Sequence, residues 1–154
     1  MPQRSAGLLL YRRGERGLEL LLIHPGGPFW AKKDMGAWSI PKGLHAEGED
    51  ALAAARREFE EETGARPDGP FHWLGEFRQP SGKRLAVWAV QGDFDPAALR
   101  SNSFRMEWPP RSGRFADFPE ADRAAWFDPE TALAKVTAGQ RAVVTALLDL
   151  LHRR

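Results

Sequence analysis

Residues 43–65 read Gly-Leu-His-Ala-Glu-Gly-Glu-Asp-Ala-Leu-Ala-Ala-Ala-Arg-Arg-Glu-Phe-Glu-Glu-Glu-Thr-Gly-Ala, a segment that opens on glycine, places four glutamates within 58–62 and reaches a second glycine at 64. Alanines fill a helix over 50–63, acidic residues open it, Leu52, Ala55 and Phe59 mark an apolar stripe, and Gly64 suits a left-handed residue past its end. On that helix Glu58, Glu61 and Glu62 stand at i, i+3 and i+4, so three carboxylates share one face, off the apolar stripe. They repel one another unless a cation sits between them. A hard divalent cation with oxygen ligands is the chemistry this pattern points to.

At 154 residues the chain has the length of one ordinary domain and can bury roughly two thirds of the surface its unfolded form exposes, so one domain over 1–154 is expected. Lys and Arg number 22 against 21 Asp and Glu, a formal charge of +1 with no long block of one sign. That balance argues against a nucleic-acid partner and leaves any anionic ligand to local charge. The lack of cysteine excludes a disulfide framework, a thiolate metal site and a thiol nucleophile, and fits a cytoplasmic setting. The apolar run at 8–10 is soon interrupted by Arg12 and Arg13, and no stretch reaches membrane length. A soluble protein is expected, with its oligomeric state left open.

Residues 6–11 and 18–23 are apolar runs separated by Arg13-Gly14-Glu15-Arg16-Gly17, which reads as a hairpin or an adjacent strand pair. Pro25-Gly26-Gly27-Pro28 breaks the chain and begins a loop through Gly36 that carries Trp30, Lys32, Lys33 and Asp34; its length marks it as functional. A brief extended piece at 38–40, with Ile40 held in the β region by Pro41, leads to Lys42 and Gly43. Beyond the helix, 71–77 and 85–90 read as strands joined by a turn, and 93–102 as a loop with room for one helical turn. Residues 103–113, Ser-Phe-Arg-Met-Glu-Trp-Pro-Pro-Arg-Ser-Gly, mix aromatics, cations and a Pro-Pro stop without periodicity and read as a binding loop. A short strand at 124–127, a helical turn at 129–133 and an amphipathic helix at 139–151, with Val143, Val144, Leu147, Leu148 and Leu151 inward, complete the chain. Strands and helices interleave without the regular alternation of a wound parallel sheet, so an α/β fold with a mixed sheet between helices is expected.

Gly43, a glutamate six positions later at 49, and the cluster Arg57-Glu58-x-x-Glu61-Glu62-x-Gly64 stand at the spacings of a known signature, with Phe59 where a bulky apolar residue belongs. The segment resembles the signature box of the Nudix hydrolases; Ala65 departs from the larger aliphatic usual there, which bears on packing more than on chemistry. The resemblance implies a Nudix-type α/β/α sandwich and metal-dependent cleavage of a phosphoanhydride, with magnesium as cofactor and manganese as a substitute. Phosphoric anhydrides carry dense negative charge, so their hydrolysis needs divalent cations to neutralise it and a carboxylate to orient or deprotonate water. By the resemblance, Glu58, Glu61 and Glu62 are metal ligands or, for one of them, the base, and the Gly43 carbonyl completes the shell. Arg57 pairs with Glu49 in a structural role. A further carboxylate from outside the helix is expected at Glu120, in a loop before the last strand, with Asp122 as the alternate.

The resemblance extends over nearly the whole chain, through Arg4-Ser5-Ala6-Gly7, Trp38-Ser39-Ile40-Pro41-Lys42-Gly43 and Trp126-Phe127, both to diadenosine tetraphosphate hydrolases and to small bacterial stand-alone Nudix proteins. It implies a small-molecule nucleotide substrate, a nucleoside diphosphate linked to a group X, foremost a nucleoside or dinucleoside polyphosphate. Lys42 and Arg4 are candidates to meet phosphates, with Lys32, Lys33 and Arg105 as helpers, and Phe104 or Trp108 to stack on a base. Two markers past the box disagree. A tyrosine found in one branch of dinucleoside polyphosphate hydrolases is missing at 81–83, and Pro80 falls where many ADP-ribose pyrophosphatases carry a proline, although a hairpin turn explains a proline equally well. ADP-ribose or a nucleotide sugar is an alternative substrate. A non-catalytic nucleotide-binding domain is a second alternative, weakened because no box glutamate is lost. A capped or 5′-triphosphorylated RNA would call for a longer basic groove than a +1 chain offers.

Overall fold

A computed structural model describes residues 4–153. Strands β1 (Arg4–Gly14) and β2 (Gly17–Pro25) form the expected hairpin, closed where Gly14 faces Gly17. There follow β3 (Lys42–Leu44), helix α1 (Ala51–Thr63), β4 (Phe71–Arg78), β5 (Arg84–Gln91), β6 (Ser103–Glu107), β7 (Phe115–Pro119), β8 (Ala121–Phe127), α2 (Pro129–Lys135) and α3 (Arg141–His152), with 3-10 turns at Pro96–Ala98 and Ala138–Gln140. The main sheet runs β4-β5-β1-β2-β8 with β3 paired to β1. Among the described strand pairs of this sheet, β1 and β5 run parallel and the others antiparallel.

Strand β1 lies at the centre, buried on both faces, which is why its sequence reads as an unbroken apolar run rather than an alternation. Ala6, Leu8 and Leu10 pack with Ala54, Ala55 and Phe59 of α1. Leu9 and Tyr11 face the other way, toward Ala132 of α2 and Val143, Val144 and Leu147 of α3. Helices therefore cover both sides of a mixed sheet, the expected α/β/α sandwich. Leu151, with Leu150, packs at the margin of the second core, whereas Leu148, half-buried, is not among the residues packed against it.

Helix α1 is fixed at both ends. Asp50 caps its start by accepting the Ala53 N–H at 3.0 Å. Gly64 ends it in the left-handed region at φ 84, its N–H donating to the Glu60 carbonyl at 2.7 Å, and a side chain there would also press on Arg100. A glycine is needed on both counts.

Residues 103–113 differ from the expected binding loop: 103–107 form strand β6, which pairs with β7 in a separate hairpin, Phe104 opposite Phe118 and Met106 opposite Ala116. The Glu107 carboxylate accepts the N–H groups of Arg111 and Gly113 and closes the turn. The strand is short and its partner lies beyond the Pro-Pro turn, so alternation alone gives little signal.

The 25–36 loop is tied to the sheet by His24, which has no exposed surface. Its Nε2 lies 2.6 Å from the Lys33 carbonyl and its Nδ1 2.9 Å from Asp122 Oδ1 on β8; a carbonyl can only accept, so Nε2 carries a hydrogen. The ring also stands edge-on to Trp38, centroids 5.2 Å apart. His24→Ala strands both partners and opens a cavity, and is expected to cost about 2–3 kcal/mol. A urea unfolding curve reads this as a lower midpoint; an unchanged midpoint would contradict the tether.

Candidate active site

Arg57 gathers the acidic groups of α1 and the box loop. Its Nε and Nη2 reach the two Glu49 carboxylate oxygens, each at 3.1 Å, and Nη2 also donates to the Leu44 carbonyl at 3.2 Å. Its Nη1 lies 2.9 Å from Glu58 Oε1 and 3.3 Å from Glu61 Oε2. Hydrogen bonds from Arg57 and from the Ala46 N–H hold the Glu49 carboxyl below its ordinary pKa. The expected Arg57–Glu49 pair is thus present and extends further, with the guanidinium occupying the space between Glu58 and Glu61. Among the described residues, no group of three or more His, Asp or Glu side chains is arranged so that it could hold a metal ion as it stands.

Gly43 lies against this cluster: a Cβ there would fall inside the Glu58 carboxylate. The residue must be glycine because the carboxylate uses the space a side chain would fill, which is a steric demand and not one of backbone conformation. Glu58 is itself pushed above its ordinary pKa, first by burial; Glu61 and Glu120 add to the rise and Arg57 opposes it.

Glu62 is the most perturbed group. Only 9% of it is exposed, although it lies off the apolar stripe of the helix. Its Oε2 is buried without a hydrogen-bond partner. Burial, then repulsion from Glu58, pushes its pKa up to about 9, with Lys42 pulling the other way. Burial in turn lowers the Lys42 ammonium, partly offset by Glu62. A carboxylate oxygen buried without a donor is costly unless something else is meant to meet it.

Glu120 reaches the same cluster from outside the helix. A backbone relay sets its place: the Asn102 N–H donates to the Glu61 carbonyl at 2.7 Å, the Glu120 N–H to the Asn102 carbonyl at 2.8 Å, and the Gly26 N–H to the Glu120 carbonyl at 3.0 Å. Burial first and the charge of Glu61 second raise the Glu120 pKa. Asp122 instead faces His24 and Arg123 and lines a cleft of about 720 Å³ along β8 that contains none of the glutamates. The geometry separates the two acids that the sequence left as choice and alternate.

A cleft of about 340 Å³ opens beside Glu62 and Glu120, walled by Phe29, Trp30, Phe104 and Met106 with Gly26 and Gly27 at its base. A side chain at Gly27 would meet the Phe104 ring. Trp108 stands behind this wall, edge-on to Phe29 at 5.4 Å, and supports it rather than lining the cleft. Lys33 lies over the Trp30 ring at 5.1 Å, Arg105 over Phe115 at 5.2 Å, and Lys32 is exposed on the same loop. Arg4 is not part of this cleft; it sits near the start of α1, in a second cleft with Glu49 and Asp50. Pro80 packs beside Gly139 on the opposite side of the sheet, as a turn residue would.

Asn102, Gly26, Gly27 and Phe29 were not legible as site residues. Gly26 and Gly27 read only as chain breakers, and Asn102 acts through its backbone, which leaves no mark on residue type. The signal that could have found the glycines is their position in a long aromatic loop, where close approach by another chain segment is a standing reason for glycine.

The NUDIX domain model matches residues 1–147. An RNA pyrophosphohydrolase from Rhodospirillum rubrum is 31% identical over 155 residues, covering 92% of this chain and 87% of that protein. Among solved structures, a C. elegans Ap4A hydrolase binary complex superposes with a TM-score of 0.69 at 20% identity, covering 99% of each chain. The NUDIX domain of Shewanella oneidensis NrtR, complexed with ADP ribose, gives a TM-score of 0.69 at 15% identity, covering 98% of this chain and 89% of that one. With the box glutamates, the loop glycine and the paired arginine all in place, the chain belongs to the Nudix family of pyrophosphohydrolases.

Proposed function

We propose that the protein hydrolyses, with a divalent metal, the phosphoanhydride of a nucleoside diphosphate linked to a group X, releasing a nucleoside monophosphate and phosphorylated X, and that its substrate is a nucleoside or dinucleoside polyphosphate. The observation that carries this reading is the buried, unpartnered Oε2 of Glu62 beside Glu58 and Glu61, in a cluster where Gly43 leaves room for a carboxylate. These donors fit magnesium or manganese, which favour oxygen ligands. Glu58, Glu61 and Glu62 with the Gly43 carbonyl would hold the cation, and Arg57 would then withdraw from between Glu58 and Glu61 toward Glu49. When bound, the metal neutralises phosphate charge and makes a bound water more acidic.

The remaining work falls to the chain itself. Glu120, raised in pKa and outside the helix, would take the proton of the attacking water. Lys42, largely buried and within reach of the charge of Glu62, would set positive charge beside the scissile phosphates. Phe104, Met106 and Trp30 offer apolar and aromatic walls to one base. A second reading, a 5′-polyphosphate end of RNA, is supported by the name of the Rhodospirillum rubrum relative. It would use the same cleft for the first base.

Replacing Glu61 and Glu62 together by Gln removes metal-binding charge without changing volume, and should lower magnesium-dependent turnover of the preferred nucleotide roughly 10³-fold with an unchanged circular dichroism spectrum. Undiminished turnover would sink the mechanism. A pH dependence follows as well. With its pKa pushed up to about 9, Glu62 is neutral at pH 7 in the metal-free protein, whereas a ligand must be ionised. Cation binding therefore displaces a proton, and affinity should rise with pH, by up to roughly tenfold per unit, until about pH 9. Calorimetric titration of manganese at pH 6, 7 and 8 measures this; an affinity flat over that range would contradict a buried Glu62 ligand.

A further inference from the structure

The second cleft, about 440 Å³, lies where β1, β4 and β5 pass the start of α1. Trp73 on β4 and Trp88 on β5 are cross-strand partners, edge-on with centroids 4.9 Å apart, and Trp73 is 53% exposed. A large aromatic left half in water on a sheet face is an unfilled stacking surface. Two residues are set in register with a third beside it: Arg78 of β4 pairs with Arg84 of β5, which pairs with Arg4 of β1. Directly opposed residues point to the same face, so the three arginines share one side of the sheet, where like charges repel; of the three, Arg4 and Arg84 line the cleft. Glu76 meets Arg84 at 3.3 Å. The other acids at this cleft, Glu49 and Asp50, are committed to Arg57 and to the helix cap. Between the arginine row and the tryptophans the floor is Ala86, small enough to leave room for a ring.

The cleft is joined to the catalytic face. Glu49 lines it and is held by Arg57, which holds Glu58 and Glu61; Glu62 lines the first cleft. Two aromatic clefts therefore flank one row of carboxylates, at opposite ends of a helix that rises about 18 Å from position 50 to position 62. We propose that this second cleft binds the distal nucleoside of a dinucleoside polyphosphate, its base stacked on Trp73 and its phosphate against Arg4 and Arg84, while the proximal base occupies the Phe104 cleft. The proposal rests on the phosphoanhydride reading above. It deepens that reading by naming the X group: a second nucleoside at the far end of the phosphate chain. Adjacent nucleotides of an RNA would place both bases on one side of the polyphosphate, which does not match clefts on either side of the carboxylates.

Trp73→Ala tests it. With magnesium, the KM for diadenosine tetraphosphate should rise roughly tenfold at unchanged kcat, the KM for ATP should not follow, and Trp73→Phe, which keeps a ring, should recover most of the loss. Equal effects on diadenosine tetraphosphate and ATP, no effect on either, or a loss confined to a 5′-triphosphorylated dinucleotide RNA would overturn it. Failure of the underlying reading looks different, because the unmodified protein would then hydrolyse none of these compounds. In that event calorimetric binding of diadenosine tetraphosphate against ATP, before and after Trp73→Ala, decides the subsite by the same ratio.

Discussion

Like-charge repulsion along one helix face is the constraint around which this molecule is built. Glu58, Glu61 and Glu62 cannot all be ionised side by side at low dielectric without a cation, and the structure meets that demand in two ways. Arg57 places its guanidinium between Glu58 and Glu61 while gripping Glu49, and burial, then repulsion from Glu58, pushes the Glu62 pKa up to about 9, which favours its protonated form at neutral pH. Both devices are reversible: an arginine can swing and a carboxyl can lose its proton. The cluster is thus stored in a low-charge form that the proposed divalent cation would convert, with Gly43 leaving space for the Glu58 carboxylate.

The fold serves that cluster by fixing its surroundings from several directions. The α1 face of β1 receives the alanines and Phe59 of α1, which sets the height of the helix over the sheet. The backbone relay from Glu61 through Asn102 and Glu120 to Gly26 joins the end of the helix to the corner before β8 and to the aromatic loop. His24 fastens the same loop to β8 at Asp122. Glu120, the carboxylate cluster and the aromatic wall of the cleft are therefore held by one connected set of hydrogen bonds, so changes at His24 or Gly26, away from the carboxylates, would be felt at Glu120.

The box was legible in the sequence because its chemistry depends on residue type at fixed helical spacing: the glutamates, Arg57, Asp50 and Gly64 each leave a distinct mark. The hairpin β1–β2, the strands β4 and β5 and the two outer helices were legible for a similar reason, since burial on one or both faces writes a hydrophobic pattern. What could not be read depends on long-range pairing. The 103–107 strand has a partner only because 115–119 returns beside it, and the arginine row Arg78–Arg84–Arg4 exists only through the registers of β4, β5 and β1. Arg4 looked like a phosphate-binding residue and sits at an aromatic cleft, but at the other end of the helix from Phe104. The burial of Glu62 was hidden too, because helical spacing gives the direction of a side chain and not what covers it.

The central claim is that a divalent cation takes the place Arg57 holds between the helix carboxylates. Anomalous scattering from crystals soaked in manganese tests it most directly. The account predicts a peak among Glu58, Glu61 and Glu62 beside the Gly43 carbonyl, with the Arg57 guanidinium withdrawn to Glu49 alone. A map with no peak there, and with Arg57 still between Glu58 and Glu61 at saturating manganese, would contradict it.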